Sequence, residues 1–152
     1  MESTLQKPAL VAAKTTPKAK TIVYWVVTAL FCLQMSFTAY YELANPGVGG
    51  NFARLGFPSH AFHVELSVAK VLGVLALLAP VSARLKEWAY AGFTFTLGSA
   101  LLAHLAVGDG PAAWSWAVGT FVLEAVSYYF FRRGSVAGAS EVVSSASAPL
   151  AA

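Results

Sequence analysis

Apolar residues run along this chain in four long stretches, at roughly 21–41, 60–78, 85–107 and 112–131, separated by short polar segments. Each is close to the ~20 residues with which an α-helix crosses a bilayer. None carries the continuous polar face that a helix of a water-soluble bundle requires, and residues 71–78 and 89–103 show almost no polar surface at all. The pattern predicts an all-α integral membrane protein, a four-helix up-down bundle with disordered termini. Three charged residues, Glu65, Lys70 and Glu124, interrupt the stretches away from their ends. In lipid a charge is costly, so each is expected to pair, to face the bundle interior or to serve a function.

The polar segments set the connectivity. Residues 42–58 form the longest link, in which Asn45-Pro46-Gly47 and Gly49-Gly50 read as turn signals that break continuous helix, and 52–58 as a short turn at the interface. Pro58 is placed to start the second span. Pro80 ends that span, and Gly108-Asp109-Gly110-Pro111 turns the chain into the fourth. Short links make consecutive helices antiparallel neighbours. The expected organisation is a basic disordered tail over 1–20, a single four-span domain over 21–133, and an Ala/Ser-rich disordered tail over 134–152. A first stretch of about 21 residues exceeds the ~7–15 of a signal-peptide core and lacks a small-residue cleavage site, so it reads as a retained helix.

Composition agrees: 57% of the 152 residues are hydrophobic and 11% charged, against roughly 25% charged in soluble domains. The net charge of +3 does not form a nucleic-acid patch, because the basic residues sit at the ends of the stretches. Lys7, Lys14, Lys18, Lys20, Arg84, Lys86, Arg132 and Arg133 fall on one side of the expected bundle and only Arg54 on the other. By the positive-inside rule that asymmetry puts both termini in the cytoplasm. Tyr24, Trp25, Trp88, Trp114 and Trp116 lie near the ends of spans, as interface anchors do. Cys32 is the single cysteine and reads as a core residue, which excludes an intramolecular disulfide and Cys-x-x-Cys chemistry.

Helical rise arranges the polar residues in two tiers. At ~1.5 Å per residue, Lys70 lies ~15 Å and Glu124 ~18 Å from the same end of their helices, so the two opposite charges are nearly level and are expected to pair. Gln34 and Thr94 complete this polar interior. Near the opposite end of the third stretch His104 reaches the level of His63 and Glu65, and these three form the candidate outer-tier site. His63, Ser67 and Lys70 share one helical face, whereas Glu65 is turned away by about 200° and needs a partner on another helix. His60, His63 and His104 do not make a complete metal ligand set, so no metal is expected. No haem, flavin or nucleotide motif is present, and no cofactor is evident from the residues alone.

Leu55-Gly56-Phe57-Pro58, Glu65-Leu66-Ser67-Val68-Ala69-Lys70-Val71-Leu72-Gly73, Leu85-Lys86-Glu87-Trp88-Ala89-Tyr90-Ala91-Gly92-Phe93 and His104-Leu105-Ala106-Val107-Gly108-Asp109 together resemble the DoxX-like group of bacterial four-helix membrane proteins, over about residues 21–131. The resemblance implies a bacterial cytoplasmic (inner) membrane location. It also implies a redox role linked to quinone, as subunit or anchor of a soluble or membrane oxidoreductase. Named relatives include a subunit associated with thiosulfate:quinone oxidoreduction, and a related fold occurs in thiol-oxidising quinone enzymes, whose dithiol mechanism has no cysteine pair here. A small proton or solute carrier and a purely structural membrane interaction protein stand as alternatives. Quinone chemistry predicts an aromatic-lined pocket open to lipid, transport a polar cavity open to water, and a structural role a dry, fully paired bundle. The lipid bilayer is the one certain partner, and the oligomeric state is left open.

Overall fold

The computed structural model describes residues 17–57 and 60–146. Among them are five helices and no strand: α1 (Pro17–Ala44), α2 (Val48–Arg54), α3 (His60–Leu78), α4 (Ala83–Ala106) and α5 (Pro111–Ala146). Three of these, α1, α3 and α4, are long and apolar enough to cross a membrane. The long helices pack in a ring, α1 against α3 and α5, and α4 against the same two, while the short α2 rests on α3. Consequently α3 and α5 face each other across the bundle.

The distribution of polarity is the reverse of a soluble protein. Thr28, Ser67, Lys70, Thr120, Glu124 and Ser127 are buried, whereas Leu33, Phe95, Leu102 and Trp88 are 68–76% exposed. Apolar surface of that extent around long helices suits hydrocarbon, and polar side chains then turn inward to find partners. The apolar core sits between α1, α3 and α4, around Phe31, Met35, Val74, Leu77, Tyr90, Phe93 and Leu97. Phe31 meets the Phe93 ring edge-on at 5.1 Å. That ring lies over Gly73, where a Cβ would stand 2.6 Å from its Cζ. The missing side chain at Gly73 is what lets α3 and α4 approach here.

Several boundaries differ from the sequence expectation. α1 begins at Pro17 rather than at residue 21, with proline tolerated in a first helical turn. It also continues past residue 41 to Ala44, and stops there because Pro46 disfavours helix at the residue before it. Gly49 and Gly50 lie inside α2, not in a turn. The chain turns at Pro46-Gly47 and at Gly108, as expected, and also at Gly56; Gly56 and Gly108, with φ of +84° and +73°, follow the ends of α2 and α4. α4 begins at Ala83, its first turn capped by Ser82, whose Oγ accepts from the Leu85 amide at 3.3 Å. α5 runs on to Ala146, through part of the segment expected to be a tail, since no proline interrupts it between Pro111 and Pro149. The expected disorder at 1–16 and 147–152, the role of Pro58 and the side chain of His60 lie outside the described residues.

Candidate functional site

Two buried stripes meet where α1 packs on α3. On α1, Thr28, Phe31, Met35, Ala39 and Glu42 recur every three or four residues; on α3, His63, Ser67, Lys70, Val74 and Leu77 do the same. Lys70 Nζ donates to Glu42 Oε1 at 2.5 Å. Ser67 Oγ lies 2.9 Å from Glu42 Oε2 and 2.8 Å from the His63 carbonyl oxygen, so its one proton is shared between two acceptors. Both carboxylate oxygens of Glu42 are thereby engaged, which offsets the cost of taking the pair out of water.

The expected Lys70–Glu124 pair is therefore corrected to Lys70–Glu42. Equal depth was not enough, because α5 lies diagonally across from α3 whereas α1 is its direct neighbour. The remaining members of the expected polar interior separate in the same way. Gln34 Nε2 donates to Thr120 Oγ1, linking α1 to α5. Thr94 donates to Glu124 Oε1 at 2.9 Å, linking α4 to α5. Ser127 joins Thr28 at 2.7 Å and Tyr90 at 2.6 Å through hydroxyl–hydroxyl bonds. Glu124 is 3% exposed, and its Oε2 has no hydrogen-bond partner among the described residues.

Above the Lys70–Glu42 pair, at the α2 end of the ring, lies a cavity of about 550 Å³. Met35, Phe62, Leu97, Phe95 and Trp116 form much of its wall, and Phe52, Leu55 and Phe57 close it from the α2 side. The lining is mostly apolar; polar side chains enter it from Lys70, Glu42, Thr120 and His104, and also from Thr38, Tyr41, Asn51, Arg54, Thr96 and Ser99. Phe95 and Trp116 line the cavity and are also 76% and 58% exposed, so its wall reaches the outer surface between α4 and α5.

A charged clasp fastens the mouth. Arg54 at the end of α2 binds Asp109 in the α4–α5 turn through two parallel bonds of 2.9 and 2.8 Å, and His104 Nδ1 lies 2.6 Å from Asp109 Oδ2. The Arg54 guanidinium, and after it His104, hold the Asp109 carboxyl well below the usual carboxylate range. Reciprocally, Asp109 raises the proton affinity of Arg54. A depressed folded-state carboxyl stabilises at pH values above its ordinary range, and that contribution is lost as pH falls through the depressed value. Asp109→Asn should thus lower the melting temperature at neutral pH, with the difference from the unaltered protein shrinking toward strong acid. Melting curves recorded from neutral to acidic pH check this; a constant difference would assign the effect to packing.

The outer-tier residues do not converge as the sequence suggested. His104 lines the cavity and joins the clasp. His63 is buried beside α2, its ring 6.0 Å from that of Phe52. Glu65 is exposed on the opposite face of α3, with no ion pair among the described residues. Sequence reasoning missed Glu42, Arg54 and Asp109. Glu42 was detectable, because it continues the Phe31–Met35–Ala39 spacing beyond the apolar run, whereas the Arg54–Asp109 contact links the end of α2 to the α4–α5 turn and has no local signature. Among the described residues no group of three or more His, Cys, Asp or Glu could hold a metal ion.

The model of the DoxX-like family matches residues 26–127, a span that includes every residue of the cavity and its clasp. No curated protein and no solved structure matches the chain.

Proposed function

This chain belongs to the DoxX-like family, and from that premise together with its cavity we propose that it is a quinone-binding membrane subunit or anchor of a redox system. The observation that carries the reading is the cavity of about 550 Å³, walled by aromatic rings and holding a buried lysine. A quinone headgroup is a flat apolar ring with two carbonyl acceptors, so it needs stacking surfaces and a small number of donors. Phe62, Phe95 and Trp116 offer the surfaces; Lys70 Nζ and His104 offer the donors, the Thr120 hydroxyl proton being held by the Trp116 carbonyl. A carrier's cavity would be polar, and a purely structural bundle would be filled.

The described residues that line this site include no cysteine, and Cys32 is buried in the core. Its part is to bind and orient, with electrons exchanged through an oxidoreductase partner. Trp116 makes binding visible. Decylubiquinone added to the purified protein in a maltoside detergent should quench Trp116 fluorescence saturably. Filling the cavity by Ala100→Leu should weaken the half-saturation concentration by about tenfold or more. Quenching that fails to saturate, or that is unchanged in Ala100→Leu, overturns the reading.

The same reading takes α5 as a fourth span and both termini as cytoplasmic in a bacterial inner membrane. The packing of α5 along both α1 and α4 supports this. So does the placement of Lys18, Lys20, Arg84, Lys86, Arg132 and Arg133 at one end of the ring and Arg54 at the other. A reporter active only in the cytoplasm should work when fused after Arg133 and fail when fused after Pro46. The reverse pattern, or activity at both positions, refutes the topology.

A further inference from the structure

Glu124 is buried in the wall of a second recess, a crevice of about 370 Å³ between α4 and α5. The recess shares only Phe95 with the cavity at the α2 end. Phe95, Phe121 and Tyr128, which line it, are 76%, 38% and 38% exposed, so it opens on the lipid-facing side of the ring. Thr94 satisfies Glu124 Oε1, but Oε2 has no hydrogen-bond partner among the described residues. Nor does a cation serve it among the described residues: Lys70, on the helix across the ring, is held by Glu42, and Arg132 is held at 2.5 Å by Glu87, at the tail end of the same crevice. A carboxylate in low dielectric, short of one donor and of a countercharge, is incomplete. Around it stand the rings of Tyr90, Phe95, Phe121 and Tyr128. Aromatic faces attract organic cations, most strongly where water is excluded.

We propose that the α4–α5 crevice is a binding site for a lipophilic ammonium compound, which enters from the bilayer, donates an N–H to Glu124 Oε2 and rests its cationic head among the four rings. The carboxylate supplies the charge and the rings the shape, while Thr94 holds the carboxylate in place. This site does not depend on quinone binding, and its occupant differs in charge from any ligand of the larger cavity.

The test uses octylammonium as probe, with octanol as the uncharged control, on the full chain purified in a neutral maltoside. Radiolabelled octylammonium should bind saturably. Glu124→Gln and, separately, Phe121→Ala should each raise the half-saturation concentration by about tenfold or more, whereas Ala100→Leu in the other cavity should leave it unchanged. Dicyclohexylcarbodiimide gives an independent readout. The protonated carboxyl of Glu124 adds across one C=N bond, its oxygen joining the central carbon and its proton passing to nitrogen, and the adduct rearranges to a stable N-acylurea detectable by mass. Labelling at Glu124 that octylammonium suppresses and octanol does not is the expected result. Absence of labelling, equal protection by octanol, or undiminished amine binding in folded Glu124→Gln overturns the proposal.

Discussion

Lys70→Met is expected to lower the stability of the bundle by about 3–5 kcal/mol, the cost of stranding a buried charge. The side chains of Lys70 and Glu42 are 7% and 12% exposed. Removing the ammonium leaves the Glu42 carboxylate with Ser67 as its sole donor among the described residues, and Ser67 is also drawn to the His63 carbonyl. Lys70→Met combined with Glu42→Leu should recover most of the loss, because the pair's attraction largely offsets its own desolvation and apolar residues of similar volume replace both. Denaturant titrations of the single and double variants in mixed micelles measure the cycle. If the double variant is as unstable as the singles, the pair is not what holds α1 to α3. Pairing with Glu124, the arrangement suggested by depth alone, would predict instead that Glu124→Leu rescues Lys70→Met.

A second large effect is expected at Gly73. An alanine there would place its Cβ 2.6 and 2.8 Å from Cζ and Cε2 of Phe93. The ring cannot simply swing aside, since it is 3% exposed and meets Phe31 edge-on at 5.1 Å. Overpacking of this kind costs about 1–3 kcal/mol. Gly73→Ala should therefore destabilise, while in a Phe93→Leu background the same alanine should cost much less. Equal costs in the two backgrounds would mean that α3 and α4 shift apart instead of resisting at Phe93. Because the Phe31–Phe93 contact joins α1 to α4 across the core, the loss should appear in the whole unfolding transition.

The helical, membrane-embedded character of the protein was legible from local sequence, because length and apolarity suffice. A chain in hydrocarbon must satisfy its backbone within each segment, so long apolar runs become helices whatever their neighbours. Errors at boundaries had local causes as well. Gly49-Gly50 resembles a turn but lies in α2, and the tail after Arg133 lacks the proline that would have ended α5 before Ala146. Ending the first span at residue 41 excluded Glu42 from the interior, although its spacing from Met35 and Ala39 marks it as part of the buried stripe.

By itself the sequence determined which side chains are too polar for lipid and how far along its helix each one sits, since both follow from residue chemistry and a constant helical rise. Lys70, Gln34 and Glu124 were identified on that basis. Only the tertiary structure decided their partners. Depth places a residue along the axis, whereas contact also needs the order of helices around the ring and the rotation of each about its own axis. With α1 beside α3 and α5 opposite it, Lys70 meets Glu42 and Glu124 is left to Thr94. The cavity belongs to the same class of fact. It exists because α2 folds over the end of the ring, where Arg54 at the end of α2 clasps Asp109 in the α4–α5 turn, far apart in sequence, and no periodicity along one helix encodes a contact between two such segments.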